Sequence, residues 1–391
     1  MLRRLALFAL LLCCLPLLTA CGGGQEIETC LFVLAMGVDP APDGSLTVTV
    51  KALSGSQASP ESGESPDGEG APGMSASERS EPGYITLSAT AASSLRAMSL
   101  LSATTPRTLN LSQLREVVIN RTLAESGATL TILREIYATF RANGAAVIVV
   151  TPDNAGDFVR SQRASLGVRL SQHLDLLFEH FAQLGTIPPD TTLSSVISAM
   201  ESSCCDATAV YAATNDFENT LMLDGDKDLN RLPGHLPRTA PFHSEYLGTA
   251  LFSGPRMTGT LTGEETSYLN LLTGSTFSQM TIIGGAQYKV NARPIVRLRL
   301  SPEDGALEAH VSISFTHVAG DIDQTSQELA AQLELMTTGL LSRLQAADCD
   351  AARYGHLALR RFLDIASWEA YDWHSKYRGA PVRATVQARI L

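Results

Sequence analysis

Segments with strand-type and helix-type patterns alternate through the first half of this chain. The runs YITLSA (84–89), REVVIN (115–120) and AAVIVV (145–150) are strand-like. The helix-type runs ASSLRAMSLL (92–101) and TLTILREIYATFRA (129–142) separate them. This alternation predicts an α/β or α+β protein, because both kinds of element must cover one hydrophobic core. A chain of 391 residues, 45% of them hydrophobic, also favours two or three domains over one.

Two predicted hairpins indicate antiparallel pairing. The turn sequence PAPDG joins LFVLAMGVD (31–39) to SLTVTVKAL (45–53), and SGP joins YLGTALF (246–252) to RMTGTL (256–261). Apolar residues at steps of three and four predict helices over 169–184 and about 324–346; the second stripe is Leu329, Leu333, Met336, Leu340 and Leu344. The expected fold class is α+β, with two or three mixed α/β domains built on mostly antiparallel or mixed sheets with packed helices.

The first 20 residues have the pattern of a signal peptide. Arg3 and Arg4 precede an apolar run of 14 residues, which is too short for a comfortable bilayer span of about 20. The end of the segment, LTAC (18–21), resembles the bacterial lipobox. We therefore expect cleavage between Ala20 and Cys21, with diacylglycerol on Cys21, with or without an added N-acyl chain, and no other cofactor. The alternative is an ordinary secretory signal that ends near a cysteine.

The charge of the chain bears on what could hold it at a surface. Loss of Arg3 and Arg4 with the signal changes the formal net charge from -11 to -13. This acidic charge argues against a nucleic acid as a partner, because phosphate binding requires a basic patch. An anionic leaflet would also repel the body, and a single acyl chain binds membranes with an affinity of only about 10⁴ M⁻¹. Two acyl chains on Cys21 would suffice for a lipid-anchored membrane location.

Composition divides the rest of the chain into regions. Residues 21–24 are expected to form a lipidated tether, with GGG at its end. Residues 25–214 are predicted to form the N-terminal domain or domains. Within them, 54–83 contains six acidic residues and no apolar periodicity, so we expect a mobile acidic loop. The polar, proline-containing segment 215–244 is expected to be a linker, followed by a C-terminal domain over 245–391.

The remaining cysteines and the histidines do not predict a metal site. Cys30, Cys204, Cys205 and Cys349 lack the C-x-x-C spacing of zinc and redox sites, and they allow three disulfide pairings. The adjacent Cys204 and Cys205 are expected to be two thiols rather than a vicinal disulfide. The histidines lack an obvious third ligand at metal-site spacing. Trp368, Trp373 and Tyr377 could form a ligand platform or anchor a helix to a sheet.

The stretch LTGEETSYLNLLTG (261–274) raises the question of whether its two adjacent acids are catalytic. If Thr262 is the N-cap of a helix, Glu265 falls at the third helical position and completes a capping box. Glu264 also suits the positive end of that helix. Adjacent helical residues point about 100° apart, which is poor geometry for two carboxylates acting on one bond. The structural motif comprises Gly259, Thr262, Gly263, Glu264, Glu265 and Gly274.

The longer sequence YLGTALFSGPRMTGTLTGEETSYLNLLTG (246–274) resembles the Ger(x)C family of spore germination lipoproteins, the C subunits of nutrient germinant receptors. The resemblance extends to the lipobox cysteine, to CDAARYG (349–355), and to the region of Trp368 and Trp373. It implies a place at the outer face of the spore inner membrane. The implied partners are a membrane-embedded transporter-like subunit and a larger subunit with soluble and membrane parts. Together they would sense nutrients and trigger ion release.

We therefore expect a non-catalytic, lipid-anchored receptor subunit that acts through protein contacts. The chain contains no dinucleotide loop, P-loop, H-E-x-x-H, G-x-S-x-G or S-x-x-K pattern, and no catalytic residue is predicted. One alternative is a lipid-anchored solute-binding protein, which would have a ligand cleft between its domains. The other is an anchored hydrolase using Glu264 or Glu265.

Overall fold

The computed structural model describes residues 27–54, 83–164, 168–215, 230–236, 243–275, 280–283, 286–320 and 325–391. The predicted signal peptide, Ala20, Cys21 and the tether lie outside these residues. So do nearly all of the predicted acidic loop 54–83 and most of the predicted linker 215–244.

Within the described residues, nine strands form the first sheet. Its order is β3-β2-β1-β5-β6-β7-β8-β9, and β4 pairs with the start of β1. The central strands β1, β5, β6 and β7 are parallel, whereas the flanking strands pair antiparallel. The strands are β1 Cys30–Pro40, β2 Leu46–Leu53, β3 Tyr84–Ala91, β4 Thr108–Asn110, β5 Glu116–Asn120, β6 Val147–Thr151, β7 Thr208–Thr214, β8 Ser244–Ser253 and β9 Arg256–Leu261.

Helices cover both faces of this sheet, which explains why its central strands are apolar on both sides. The helices are α1 Ser94–Thr104, α2 Arg121–Ser126, α3 Thr129–Arg134, α4 Ala155–Ser161, α5 Leu170–Leu184 and α6 Leu193–Met200. One apolar cluster joins the sheet to α1, α2, α3 and α6, and a second joins the opposite face to α4 and α5. Of the stripe predicted on α5, Leu170 and Leu174 are buried, but Leu184 is 43% exposed.

The hairpin β8–β9 completes the first sheet. The C-terminal domain predicted from the sequence begins at 245, within β8, and β8 pairs antiparallel with β7 along most of its length. The physical reason is that β7 would otherwise present an unpaired edge, and β8 is apolar enough to be buried from Glu245 to Phe252. The boundary between the two sheets therefore follows Leu261.

The second domain is a smaller mixed sheet with one long helix packed on it. Among the described residues its strands are β10 Met280–Ile283, β11 Ala286–Val290, β12 Ile295–Leu300, β13 Leu307–Ala319 and β14 Val382–Ile390. β13 pairs antiparallel with β11 and β12 and parallel with β14. Helix α7 (Gly263–Thr273) leads into this domain, and α8 (Ser326–Ala346) packs on β14. The expected α+β class with mixed sheets and packed helices is confirmed.

The apolar stripe predicted on α8 faces the second core. Leu329, Leu333, Leu340 and Leu344 are buried, and Met336 packs against them while partly buried. Three short helices follow, α9 (Tyr354–Leu359), α10 (Ile365–Tyr371) and α11 (Trp373–Gly379), before the chain returns as β14. These short helices bring the end of the second domain against the loop 202–207 of the first.

Candidate functional site at the junction of the two domains

Helix α7 has the expected cap at each end. The Thr262 hydroxyl accepts a hydrogen bond from the Glu265 backbone N–H at 3.3 Å, and Glu265 Oε2 accepts one from the Thr262 N–H at 2.9 Å. Gly274 ends the helix in the left-handed region, at φ 70°. This reciprocal pair satisfies two donors that a helix start leaves without partners.

The second oxygen of Glu265 is also engaged. Glu265 Oε1 accepts a hydrogen bond from Arg343 Nη1 at 2.6 Å, and Arg343 Nη2 donates to the Thr260 carbonyl at 3.0 Å. The pair Glu265–Arg343 therefore joins α7, β9 and α8. Gly259 lies at the same corner, where an added Cβ would be 3.3 Å from the Ala347 Cβ. Both oxygens of this carboxylate therefore make contacts that hold the start of α7 in place.

Helix α7 also holds the first domain through buried hydrogen bonds. Asn270 Nδ2 donates to the carbonyls of Gly185 and Ile187 at 2.9 and 2.8 Å, and the Ser267 hydroxyl donates to Gly185 at 3.1 Å. Gly185 is the left-handed residue that ends α5. The bonds satisfy carbonyls that a buried helix end would otherwise leave without partners. The motif helix therefore connects the two domains through these buried hydrogen bonds.

A second connection is made by Asp350, which is fully buried. Its carboxylate accepts hydrogen bonds from the N–H groups of Tyr354 at 2.9 Å and Gly355 at 2.6 Å, and from Trp373 Nε1 at 3.1 Å. Burial raises its pKa to about 6 in spite of these donors. Asp350, Gly355 and Trp373 are separated in sequence but meet here at one carboxylate.

Asp206 approaches the same point from the first domain. Its Oδ2 accepts a hydrogen bond from the Asp350 backbone N–H at 2.8 Å, and its Oδ1 accepts one from the Gly254 N–H at 3.2 Å. Burial raises the pKa of Asp206. A glycine is required beside this contact, because a Cβ on Gly355 would lie 2.3 Å from the Cys204 carbonyl oxygen. We call this contact between residues 202–207 and 348–356 the junction.

The aromatic residues near the C-terminus anchor helices at the junction. Trp368 Nε1 donates to the Ser203 hydroxyl at 2.8 Å, and the Tyr377 hydroxyl donates to the Cys349 carbonyl at 3.0 Å. Trp368, Trp373 and Tyr377 are each buried. Of the two sequence interpretations, this geometry fits the anchor, because the polar atoms already have partners and the rings are covered by protein.

A buried polar cluster inside the first domain was missed by sequence reasoning. Glu116 accepts hydrogen bonds from Gln162 Nε2 and, at 3.0 Å, from the Tyr246 hydroxyl, while Lys51 donates to the Gln162 carbonyl. Burial raises the pKa of Glu116 to about 7. The members come from distant segments, so no local spacing reveals them. The one sequence signal of this cluster was Glu116 itself, a charged residue at the start of the apolar strand EVVIN.

A shallow cleft lies beside the junction, between the two domains. It has a volume of about 270 Å³, and Asp190, Leu272 and Arg353 are among the residues that line it. Arg353 bonds Asp190 across it at 2.8 Å. Ligand sites usually enclose roughly 300–1,000 Å³, and several of their polar groups point at the ligand. The cleft is slightly smaller than this range, and two of the charged groups that line it, Asp190 and Arg353, already bond each other.

Among the helices of the described residues, none has both the length and the apolar character needed to cross a bilayer.

The fold and the junction define a two-domain α+β protein in which a capped motif helix and two buried aspartates join mixed sheets. Residues 23–213 match the family model for the spore germination protein N-terminal domain, and residues 247–391 match the one described as spore germination B3/GerAC like, C-terminal. The chain therefore belongs to the GerAC family of spore germination proteins, as the sequence resemblance indicated.

Two further comparisons complete this description. The crystal structure of the GerBC protein is similar, with a TM-score of 0.49 at 11% sequence identity, over 91% of this chain and 96% of that chain. Comparison with curated protein sequences finds no match.

Proposed function

We propose that this protein is the lipid-anchored, non-catalytic C subunit of a nutrient germinant receptor in a bacterial spore. The observation that carries the proposal is the pair of family matches, which follow each other along the chain and together cover most of it. The proposed location is the outer face of the spore inner membrane. The proposed partners are a transporter-like membrane subunit and a larger subunit with soluble and membrane parts.

The proposed anchor is supported by the sequence LTAC at 18–21, which follows an apolar signal segment. A body with a formal charge of -13 has no electrostatic attraction to an anionic leaflet. Acyl chains on Cys21 would supply the affinity that the body lacks, at about 0.8 kcal/mol for each buried CH₂ group.

The proposed non-catalytic role is supported by the contacts of Glu265, one of the two candidate acids. Glu265 uses one oxygen in the capping box and the other on Arg343. The remaining buried carboxylates at the junction, Asp206 and Asp350, accept backbone N–H groups. These groups hold the two domains together, and the assembled body then offers its outer surfaces to the other subunits.

The anchor is tested by replacing Cys21 with alanine in the spore-forming host. We expect Cys21→Ala protein to leave the membrane fraction and the spores to germinate poorly with nutrients. The matched control is Cys30→Ser, which changes a buried thiol in β1 and should leave the protein in the membrane. Full membrane retention of Cys21→Ala would contradict the anchor.

The receptor role is tested by purifying the tagged protein from spore membranes in mild detergent. We expect both membrane subunits to copurify in fixed ratio. Recovery of the anchored protein alone, together with normal nutrient germination of spores that lack it, would overturn the proposed function.

A further inference from the structure

Three groups that bind soft metal ions meet on the surface side of the junction. The thiols of Cys204 and Cys205 and a ring nitrogen of His356 all lie within 4.8 Å of one another. Cys204 Sγ is 3.6 Å from His356 Nδ1. Both cysteines are free thiols and 8% exposed, whereas His356 is exposed. The set therefore has a buried side and a side open to solvent.

The fold, and not the local sequence, brings the third group to the cysteine pair. His356 is 152 residues from Cys204 along the chain. It follows Gly355, whose missing side chain allows the start of α9 to approach the Cys204 carbonyl. The Gly355 N–H is held by the buried carboxylate of Asp350 at 2.6 Å. The position of His356 is therefore determined by the same contacts that join the domains.

The distance between Cys204 Sγ and His356 Nδ1 suits a tetrahedral ion. Zinc lies about 2.3 Å from thiolate sulfur and about 2.0–2.1 Å from imidazole nitrogen, so tetrahedral angles separate the two donors by about 3.6 Å. The Cys204–His356 separation has this value. Two thiolates and one imidazole are soft and borderline donors, which favour Zn²⁺ over Mg²⁺ or Ca²⁺. Two thiolates also neutralise the charge of the ion.

Two neighbouring charged side chains are already bonded to other groups. The Asp206 carboxylate is turned to the backbone N–H groups of Asp350 and Gly254. The guanidinium of Arg353, the N-cap residue of α9, bonds Asp190. Solvent can reach the set through His356, so a water molecule could supply a fourth ligand.

We propose that Cys204, Cys205 and His356 bind one Zn²⁺ ion that ties the first domain to the second at the junction. The spacing of the cysteines in the sequence predicted no metal site, and the proposal revises that expectation. Two ligands belong to the segment that leads into β7 and the third to α9, so the ion would stabilise the contact between domains. The proposal is independent of the receptor role and of the anchor.

The test measures metal binding by the full-length chain purified in detergent under reducing, oxygen-free conditions. Co²⁺ is the spectroscopic probe, because thiolate ligands give it a charge-transfer absorption, and Zn²⁺ is then added in competition. We expect one Co²⁺ per chain, displaced by one Zn²⁺. His356→Ala should weaken binding at least tenfold, because it removes one of three protein ligands.

Replacing one cysteine at a time distinguishes binding at this site from binding to other sulfur ligands. Cys204→Ser and Cys205→Ser should each lose about half of the thiolate-to-cobalt absorption, because each removes one of two sulfur ligands. Cys30→Ser and His310→Ala are the matched controls outside the set and should bind as the unaltered chain does. Circular dichroism of each variant checks its fold.

Two results would overturn the proposal. One is equal Co²⁺ affinity in His356→Ala and in the unaltered chain. The other is a Cys204–Cys205 disulfide, found by mass spectrometry of protein isolated from spores without reductant, combined with no metal uptake after reduction.

Discussion

Replacement of Gly355 by alanine should disrupt the contact between the two domains. An added Cβ would lie 2.3 Å from the Cys204 carbonyl oxygen and 2.6 Å from Trp373 Nε1, whereas ordinary contacts begin near 3.4 Å. The nearest obstacle is backbone, so α9 would have to move by about 1 Å. That movement would disturb the bonds that the Gly355 N–H and the Trp373 indole donate to Asp350.

The expected loss of stability follows from these contacts. Overpacking of this kind costs about 1–3 kcal/mol, and each disturbed bond to the buried carboxylate adds about 1 kcal/mol. The higher helix propensity of alanine returns about 1 kcal/mol. We therefore expect Gly355→Ala to lower the free energy of unfolding of the second domain by about 3 kcal/mol.

Urea unfolding followed by tryptophan fluorescence measures this change. The chain has two tryptophans, and Trp368 and Trp373 both lie at the junction. With a slope of about 2 kcal/mol/M, the midpoint should fall by about 1.5 M. The control is Gly339→Ala within α8, where an added Cβ would meet nothing within 4 Å.

The control should become more stable, by up to about 1 kcal/mol, because its only change is helix propensity. If Gly355→Ala kept or raised the midpoint as Gly339→Ala does, the close approach at Cys204 would not constrain the junction, and the reasoning would be refuted.

Three further perturbations test other parts of the structure by urea unfolding followed by circular dichroism. The raised pKa of Glu116 should give stability that is complete below about pH 4.5 and lost as pH rises through about 7, in total about 3 kcal/mol. Glu116→Gln should remove that part of the pH dependence, and an unchanged profile would contradict the assignment. Asn270→Ala should cost about 2 kcal/mol, because the Gly185 and Ile187 carbonyls lose a buried donor; a loss below 0.5 kcal/mol would show that water replaces it. Thr262→Ala should cost about 1 kcal/mol through the N-cap, whereas Thr262→Ser should be nearly neutral.

The parts of the candidate site that could be predicted are those with local causes. The capping box of α7 depends on residues three apart, and the left-handed end at Gly274 depends on the absence of one side chain. The stripe of α8 depends on helical periodicity. Each pattern is complete within one or a few turns, so the linear sequence contains all of its partners.

The parts that could not be predicted have partners far apart in the chain. Strand β8 pairs with β7 because that edge of the sheet needs a partner. Glu116 and Tyr246 are 130 residues apart, and Asp206 and Asp350 are 144 apart. No periodicity connects such residues, because their distance depends on how the sheets are ordered.

The sequence by itself determined the family, the α+β class, and the ends and buried faces of several helices, since these follow from motifs and short-range patterns. Only the tertiary structure decided which sheet received the hairpin, which carboxylates became buried, and which histidine reached Cys204 and Cys205. The physical reason is the range of the interactions: helix caps and amphipathic periodicity act over a few residues, whereas burial and strand pairing act between segments that only the folded chain brings together.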